Sequence, residues 1–132
     1  MSKNSRYYFD AGNTRLKLWA CDERDDVLDE AVLAHHGNPA RAIAEKLPEG
    51  FRDRPSAIMG ASVLDDECQE GLVRACEGRW AVTPRFASSR REQCGVRNGY
   101  GDDFARLGID RWLALLGYDR TLLKADEVAC IV

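Results

Sequence analysis

The chain has 132 residues, of which 45% are hydrophobic and 31% are charged, and its formal net charge at pH 7 is −3. This composition is typical of a globular protein and excludes a disordered chain, and no stretch approaches the roughly 18 apolar residues of a membrane-spanning helix. The small negative charge argues against general binding to nucleic acid or to anionic lipid, so we expect one cytoplasmic domain with neither partner.

Three strands are predicted at the start of the chain. Residues 6–10 (RYYFD) form a short apolar run, and residues 14–22 (TRLKLWACD) alternate apolar and polar side chains as a half-buried strand does. Gly12 and Asn13 between these runs predict a tight turn. Residues 27–36 (VLDEAVLAHH) follow as a third strand, and the three are expected to pair as an antiparallel meander.

Helices and strands alternate after the meander. Asn38 is a candidate N-cap and Pro39 a candidate first residue of a helix. Residues 56–64 (SAIMGASVL) predict a buried strand, residues 65–80 a helix with an acidic N-terminus, and residues 82–89 (VTPRFASS) a further strand. This order predicts an α/β fold with a mixed five-stranded sheet, three antiparallel strands first, flanked by helices.

A polar segment precedes the last predicted helix. Residues 88–103 contain several glycines and predict a loop of the length that often carries a functional site. Residues 104–124 predict a helix, with Asp102 or Asp103 available as N-cap. Glycine inside a helix costs about 1 kcal/mol relative to alanine, so Gly108 at that place suggests close approach of a neighbour or a ligand.

The cysteines and histidines predict no metal site. The five cysteines form no CxxC pair, which favours free buried thiols in a reducing compartment over a zinc site or a disulfide framework. His35 and His36 are adjacent, and on a strand they would face opposite sides of the sheet. We therefore treat both histidines as structural or surface residues.

The turn with the sequence DAGNT could hold a phosphate. Gly12 lets backbone N–H groups approach an anion, and Asn13 and Thr14 add further donors. Lys17 lies on the polar side of its strand and adds a positive charge. Asp10, at the end of the first strand, could hold magnesium through water. The same residues are also common in hairpin turns that bind nothing, and the pattern alone favours that interpretation.

Asp110 and Arg111 are the candidate functional residues of the last predicted helix. They lie about 100° apart around a helix of 3.6 residues per turn, so they can have different roles. A carboxylate can orient the attacking hydroxyl in phosphoryl transfer. The alternative is a solvated Asp110 beside an Arg111 whose stem covers the core, and the helix alone favours that alternative.

Both motifs occur in one chain, and together they make it similar to the type III pantothenate kinases, the Bvg accessory factor-like family of the superfamily of acetate kinase, hexokinase and actin. The first phosphate motif of that family reads D-x-G-N-T-x-x-K, matched here by Asp10, Gly12, Asn13, Thr14 and Lys17. Its substrate motif runs from a tyrosine to L-G-x-D-R-W, matched by Tyr100, Leu107, Gly108, Asp110, Arg111 and Trp112.

The resemblance implies a ribonuclease H-like (actin-like ATPase) fold and ATP-dependent phosphorylation of pantothenate, the first step of coenzyme A biosynthesis. It implies that Asp110 is the catalytic base, and that Asp10 assists a magnesium ion through water. The other residues of the phosphate motif would contact ATP, while Tyr100, Gly108 and Arg111 would contact pantothenate. A monovalent cation, potassium or ammonium, and a homodimer are implied as well.

The sequence departs from the family pattern in two respects. Phe104 stands where the family has a proline, and the stretch YGDDFARLG is one residue longer than the usual spacing. The family also continues with a second phosphate motif, D-x-G-T, after a strand like residues 126–132. We therefore expect residues 1–125 to be the N-terminal ATPase domain, residues 126–132 to be the first strand of an absent second domain, and the chain alone to be an inactive half.

Two other functions are compatible with the same elements. A non-catalytic accessory regulator of transcription, or a binding module, could use this fold, although the sequence has no recognised DNA-binding motif. A nuclease of the ribonuclease H-like fold shares the three opening strands and an aspartate on the first. Its chemistry needs a cluster of carboxylates around two metals, however, and the residues after Asp10 suit phosphate better.

Overall fold

The computed structural model describes residues 5–109, 111–114 and 116. The chain divides into two compact units, Met1–Ala87 and Ser88–Val132, and each is described by itself. The domain boundary predicted after residue 125 and the strand predicted at 126–132 lie outside the described residues. No helix in the described part of the chain is long and apolar enough to cross a membrane.

The first unit contains a five-stranded sheet. Its strands are β1 (Arg6–Ala11), β2 (Arg15–Cys21), β3 (Val27–Ala34), β4 (Ala57–Ser62) and β5 (Arg85–Phe86). They are ordered β3-β2-β1-β4-β5. β1, β2 and β3 pair antiparallel, whereas β4 is parallel to β1 and to β5. The predicted mixed sheet, with three antiparallel strands first, is confirmed.

Two helices connect the strands of this sheet, α1 (Pro39–Lys46) and α2 (Asp66–Trp80), and a single 3-10 turn spans Glu49–Phe51. The side chain of Asn38 accepts a hydrogen bond from the Arg41 N–H at 3.1 Å, and Pro39 opens α1. Both predicted roles are therefore confirmed.

The core of the first unit lies on one face of the sheet. Alternate residues of the two central antiparallel strands are buried there with residues of both helices, as a period of two requires: Tyr7, Phe9, Ala11, Leu16, Leu18, Ala20, Ile43, Leu72, Cys76 and Trp80. The Tyr7 ring meets Phe51 and Trp80 edge to face, each at 5.2 Å between ring centroids. The intervening polar residues of β1 and β2 consequently point to the opposite face.

β5 is shorter than the sequence predicts. Residues 82–89 were expected to form a strand, but only Arg85 and Phe86 pair, opposite Met59 and Gly60 of β4. Pro84 carries no N–H and cannot donate to a sheet ladder, which explains why pairing starts after it.

The second unit begins with a β-hairpin in the segment that was predicted to be a loop. Within residues 88–103, β6 (Glu92–Gln93) pairs antiparallel with β7 (Val96–Arg97). Cys94 and Gly95 between them have φ values of 52° and 78°, the positive values of a two-residue hairpin turn.

The predicted helix start at residue 104 is wrong. A 3-10 helix spans Gly101–Arg106 and ends at Leu107, whose φ of −78° and ψ of 120° are extended. The α-helical backbone begins at residue 109, where the Gly108 carbonyl accepts the Trp112 N–H at 3.0 Å. Asp102 and Asp103 therefore lie inside the 3-10 helix and do not cap the α-helix.

This revised start also changes the interpretation of Gly108. Gly108 precedes the helix, so the cost of an interior glycine does not apply to it. In the 3-10 segment before it, the Phe104 carbonyl accepts a hydrogen bond from Nδ2 of the buried Asn98 at 3.2 Å. That carbonyl also accepts the Leu107 N–H at 3.3 Å, the short-range bond of a 3-10 turn.

Candidate functional site

A tight hairpin between β1 and β2 forms the first part of the candidate site. Gly12, Asn13 and Thr14 make the turn, and the Gly12 N–H donates to the Arg15 carbonyl at 2.9 Å. A Cβ at residue 12 would lie 3.3 Å from that carbonyl oxygen, a contact tighter than side chains normally make. Asn13 and Thr14 are exposed at the tip. The tight turn predicted at Gly12 and Asn13 is confirmed, and Thr14 is also part of it.

Opposite charges flank this turn on one face of the sheet. Asp10 of β1 is the register partner of Lys17 of β2, and directly opposed residues of an antiparallel pair share a face. Both side chains are exposed, as is that of Arg15, whereas Leu16 and Leu18 are buried. The predicted alternation of β2 is confirmed. The hairpin thus presents a carboxylate and a cation on the face away from the core.

A histidine that sequence reasoning set aside contacts the hairpin. His35 is 4% exposed, its N–H donates to the Thr14 carbonyl at 3.0 Å, and its Nε2 lies 2.7 Å from the Gly12 carbonyl oxygen. β3 ends at Ala34, so His35 and His36 lie in a turn and not on a strand as predicted. The sequence gives no signal that distinguishes the buried histidine from its exposed neighbour.

β4 runs parallel to β1, and the two strands end side by side next to the hairpin turn. Ser62 is the register partner of Ala11, and the Val63 N–H donates to the Ala11 carbonyl at 3.0 Å. A Cβ at Gly60 would lie 2.1 Å from the Phe9 carbonyl oxygen. Gly60 therefore lets β1 pack where it does. Sequence reasoning missed this role, although a glycine inside a strand pattern is the signal of such close approach.

Tyr100 lies in the second unit and is half exposed. Its ring faces the Arg106 guanidinium at 5.5 Å, within the range of a cation–π interaction. Its N–H donates to Asn98 Oδ1 at 3.0 Å. Asn98 is 2% exposed, and its Nδ2 donates to the carbonyls of Arg90 at 3.1 Å and Phe104 at 3.2 Å. Sequence reasoning missed Asn98, which holds the segment that carries Tyr100.

The rest of the substrate motif lies in the same unit. Gly108 is exposed, and Trp112 is buried with its Nε1 donating to Gln93 Oε1 at 3.0 Å. Arg111, the residue before Trp112, is exposed. Asp110 lies outside the described residues, so its assignment as catalytic base stays a prediction.

The described residues offer fewer than three metal-binding side chains at any one place. No group of three or more His, Cys, Asp or Glu side chains within residues 5–109, 111–114 and 116 could hold a metal ion. Magnesium that accompanies a nucleotide needs only one or two carboxylates, with water and phosphate oxygens as its other ligands. The exposed carboxylate of Asp10 fits that requirement.

The two buried cysteines among the described residues are suited to a structural role. Cys21 and Cys76 are buried and free, whereas Cys94 is exposed. Burial is the largest cause that raises the pKa of each buried thiol, that of Cys76 to about 12. Such thiols stay protonated near neutral pH and are poor nucleophiles.

Comparison with known proteins gives one consistent family. The profile described as type III pantothenate kinase matches residues 7–132. A protein named type III pantothenate kinase from Polaromonas sp. strain JS666 is 37% identical over 127 residues, which cover 93% of this chain and 48% of that protein. A protein of the same name from Pseudomonas putida strain F1 is 50% identical over 108 residues, covering 82% and 42%. The chain spans about half the length of the curated relatives it matches.

Proposed function

This chain belongs to the type III pantothenate kinase family, and on that basis we propose that it supplies the nucleotide hairpin and the substrate motif of an enzyme that phosphorylates pantothenate. ATP is the donor, the primary hydroxyl of pantothenate is the acceptor, and the reaction is the first step of coenzyme A biosynthesis. The observation that carries the proposal is the hairpin itself, with Asp10 opposite Lys17 beside a closed glycine turn.

The hairpin geometry suggests which groups contact the ATP phosphates. The Gly12 N–H is already donated to the Arg15 carbonyl within the turn. The proposed donors to phosphate are therefore the exposed Asn13 and Thr14. Lys17 supplies positive charge from the same end of the sheet. Donors held in place before the ligand binds stabilise developing charge without reorganisation during the reaction.

Asp10 is the residue proposed to assist magnesium, through water. Bound with the nucleotide, magnesium supplies neutralisation of charge on the phosphate oxygens. A monovalent cation, potassium or ammonium, is proposed as a second ion on the family resemblance alone. Asp10 therefore has an electrostatic role that can be separated experimentally from that of Lys17.

The substrate motif is proposed to bind and orient pantothenate. Asp110 would accept the proton of the attacking hydroxyl, and Tyr100, Gly108 and Arg111 would contact the substrate. Arg111 is an exposed residue, and its guanidinium suits the pantothenate carboxylate, since arginine binds carboxylates through two parallel hydrogen bonds. The half-exposed ring of Tyr100 offers an apolar surface and a hydroxyl.

The whole enzyme is proposed to be a cytoplasmic homodimer without nucleic-acid or membrane partners. Kinases of this superfamily hold the nucleotide between two domains, and phosphoryl transfer depends on positioning of the reacting groups. The chain of 132 residues is therefore expected to have little activity by itself. The alternative is a non-catalytic accessory regulator of transcription, or a binding module, on the same fold.

The test uses an extended protein. It consists of this chain followed by the residues that its gene encodes next or, where the gene encodes none, by the C-terminal half of the Polaromonas relative. Pantothenate phosphorylation is measured with ATP, magnesium and potassium in the extended protein, in its Asp110→Asn variant and in the chain alone. Activity only in the extended protein, lost in the variant, supports the proposal. A folded extended protein that binds ATP without phosphorylating pantothenate would overturn the substrate and favour the binding module.

A further inference from the structure

The turn after β3 is bonded to the tip of the nucleotide hairpin. In the β2–β3 register Ala34 is opposite Arg15, and the His35 N–H continues the pairing by donating to the Thr14 carbonyl at 3.0 Å. The His35 ring adds a second contact, with Nε2 2.7 Å from the Gly12 carbonyl oxygen. One residue therefore bonds to the first and the last residue of the hairpin turn.

The hydrogen bonds of the ring determine which nitrogen carries the proton. The Gly37 N–H donates to Nδ1 at 3.0 Å, and a backbone N–H can only donate, so Nδ1 is the acceptor. The Gly12 carbonyl oxygen can only accept, so Nε2 carries the hydrogen. Both contacts are satisfied by one species, the neutral imidazole protonated at Nε2.

The ring is held in place by the backbone around it. His36 and Gly37 have φ values of 46° and 81°, and the Asn38 N–H donates to the His35 carbonyl at 2.7 Å. These features close a turn whose last residue, Asn38, is the N-cap of α1. The start of α1 thereby fixes the position of the buried imidazole relative to the hairpin.

Fixing the Gly12 carbonyl also fixes the next N–H group. The Gly12 carbonyl and the Asn13 N–H belong to one planar peptide unit, and no cis peptide occurs among the described residues. In a trans unit the two groups point in opposite directions. Since the carbonyl points to the buried ring of His35, the Asn13 N–H points away from it, at the exposed tip of the turn.

We infer that His35 is a positioning residue for ATP: its neutral imidazole bonds the Gly12 carbonyl and so orients the Asn13 N–H for a phosphate oxygen. This assignment rests on the proposed function. Because the turn is bonded before any ligand arrives, ATP binding does not have to order this peptide unit, which lowers the cost of binding.

Two substitutions separate the ring's two hydrogen bonds. The amide nitrogen of glutamine can occupy the place of Nε2, so His35→Gln keeps a donor for the Gly12 carbonyl. Asparagine reaches only the place of Nδ1, so His35→Asn keeps an acceptor for Gly37 and loses the bond to Gly12. His36→Asn is the matched control, because His36 is the exposed neighbour and asparagine tolerates its positive φ.

The kinetic test measures KM for ATP and for pantothenate in the extended protein. We expect His35→Asn to raise KM for ATP about tenfold, the size of one hydrogen bond, with KM for pantothenate unchanged. His35→Gln should stay within about threefold of wild type, and His36→Asn should change neither constant. Equal effects of the glutamine and asparagine variants, or equal changes for both substrates, would overturn the inference.

Two further measurements separate failure of this inference from failure of the proposed function. If the extended protein does not phosphorylate pantothenate, calorimetric Kd values for ATP must show the same order of variants; absence of ATP binding overturns the inference. In the ¹⁵N-labelled chain, NMR of the His35 ring should show a protonated Nε2 and an unprotonated Nδ1. The opposite tautomer would leave the Gly12 carbonyl without its donor and would overturn the inference.

Discussion

Asp10 and Lys17 are direct register partners across β1 and β2, separated from the closed glycine turn by the Ala11–Leu16 pair. Their side chains share the exposed face of the sheet, while their neighbours Ala11 and Leu16 are buried. Opposed residues on one face of an antiparallel pair have Cβ atoms about 5 Å apart, so the two side chains start from neighbouring positions on that face. Under the proposed function, a phosphate bound at the turn would have Lys17 and a magnesium ion held by Asp10 through water on this same face.

Lys17→Met should weaken ATP binding without changing pantothenate binding. The substitution removes a charge and keeps most of the apolar stem. A charge-assisted hydrogen bond contributes about 1.5–3 kcal/mol, so kcat/KM for ATP should fall roughly 10- to 100-fold in the extended protein. Arg15→Met is the matched control, since Arg15 is exposed on the same face. Equal losses in the two variants would show that general positive charge, not Lys17, attracts the nucleotide.

Asp10→Asn should change the magnesium requirement. Replacing the carboxylate with a neutral amide removes a charge that a water-bound magnesium ion favours. We expect the magnesium concentration at half-maximal rate to rise several-fold at saturating ATP, by roughly the 1 kcal/mol of one hydrogen bond. Titration of the extended protein with magnesium measures this directly. An unchanged magnesium curve with a lower maximal rate would assign Asp10 to another step.

Gly60→Ala should be severely destabilising, because its Cβ would lie 2.1 Å from the Phe9 carbonyl oxygen and 2.5 Å from the Phe9 ring. Parallel pairing of β1 with β4 leaves no room for it, and a loss of more than about 3 kcal/mol is expected. Gly78→Ala is the control, since nothing lies within 4 Å of its Cβ position in α2; it should gain up to about 1 kcal/mol. Urea unfolding of the two variants gives both values.

Local patterns were sufficient to predict the elements of the first unit, although β3 and β5 are shorter than predicted. Alternation in residues 14–22 predicted β2, and Asn38 before Pro39 predicted the start of α1, because these signals act within one turn or strand. His35 and Gly60 were missed because their roles depend on contacts with distant residues, such as Gly12, which is 23 positions before His35. Asn98 contacts residues only two to eight positions away, but its bonds to backbone groups leave no periodic pattern in the sequence.

Asn98→Asp should disturb the second unit and pantothenate binding. The carboxylate can still accept the Tyr100 N–H, but it faces the carbonyls of Arg90 and Phe104 without a donor. An uncompensated buried charge of this kind costs about 3 kcal/mol, and KM for pantothenate should rise while KM for ATP does not. Asp102→Asn, which breaks an exposed ion pair with Arg91, should cost less than about 1 kcal/mol. If Asn98→Asp and Asp102→Asn changed stability and KM equally, the role of Asn98 in holding the segment that carries Tyr100 would be contradicted.

Tyr7 should make the first unit sensitive to alkali. Burial is the main cause that raises the pKa of Tyr7 from 10.0 to about 12, and its hydroxyl donates to the Asp53 carbonyl. Because the folded pKa lies above the unfolded one, the folded state holds the proton more tightly. The resulting stability is complete below pH 10 and is lost as the pH rises through 12. Cys76 acts in the same direction, since burial raises its pKa from 9.0 to about 12.

The comparison of wild type with Tyr7→Phe isolates the tyrosine. At pH 8 the variant lacks the hydrogen bond to Asp53 and should be less stable by about 1 kcal/mol. Between pH 10 and 12 the wild type should lose more free energy of unfolding than the variant, so the two curves should converge. Tyr100→Phe, which changes a half-exposed ring, should follow the wild-type curve. Parallel curves for wild type and Tyr7→Phe would mean that another group, with Cys76 the first to test, causes the alkaline loss.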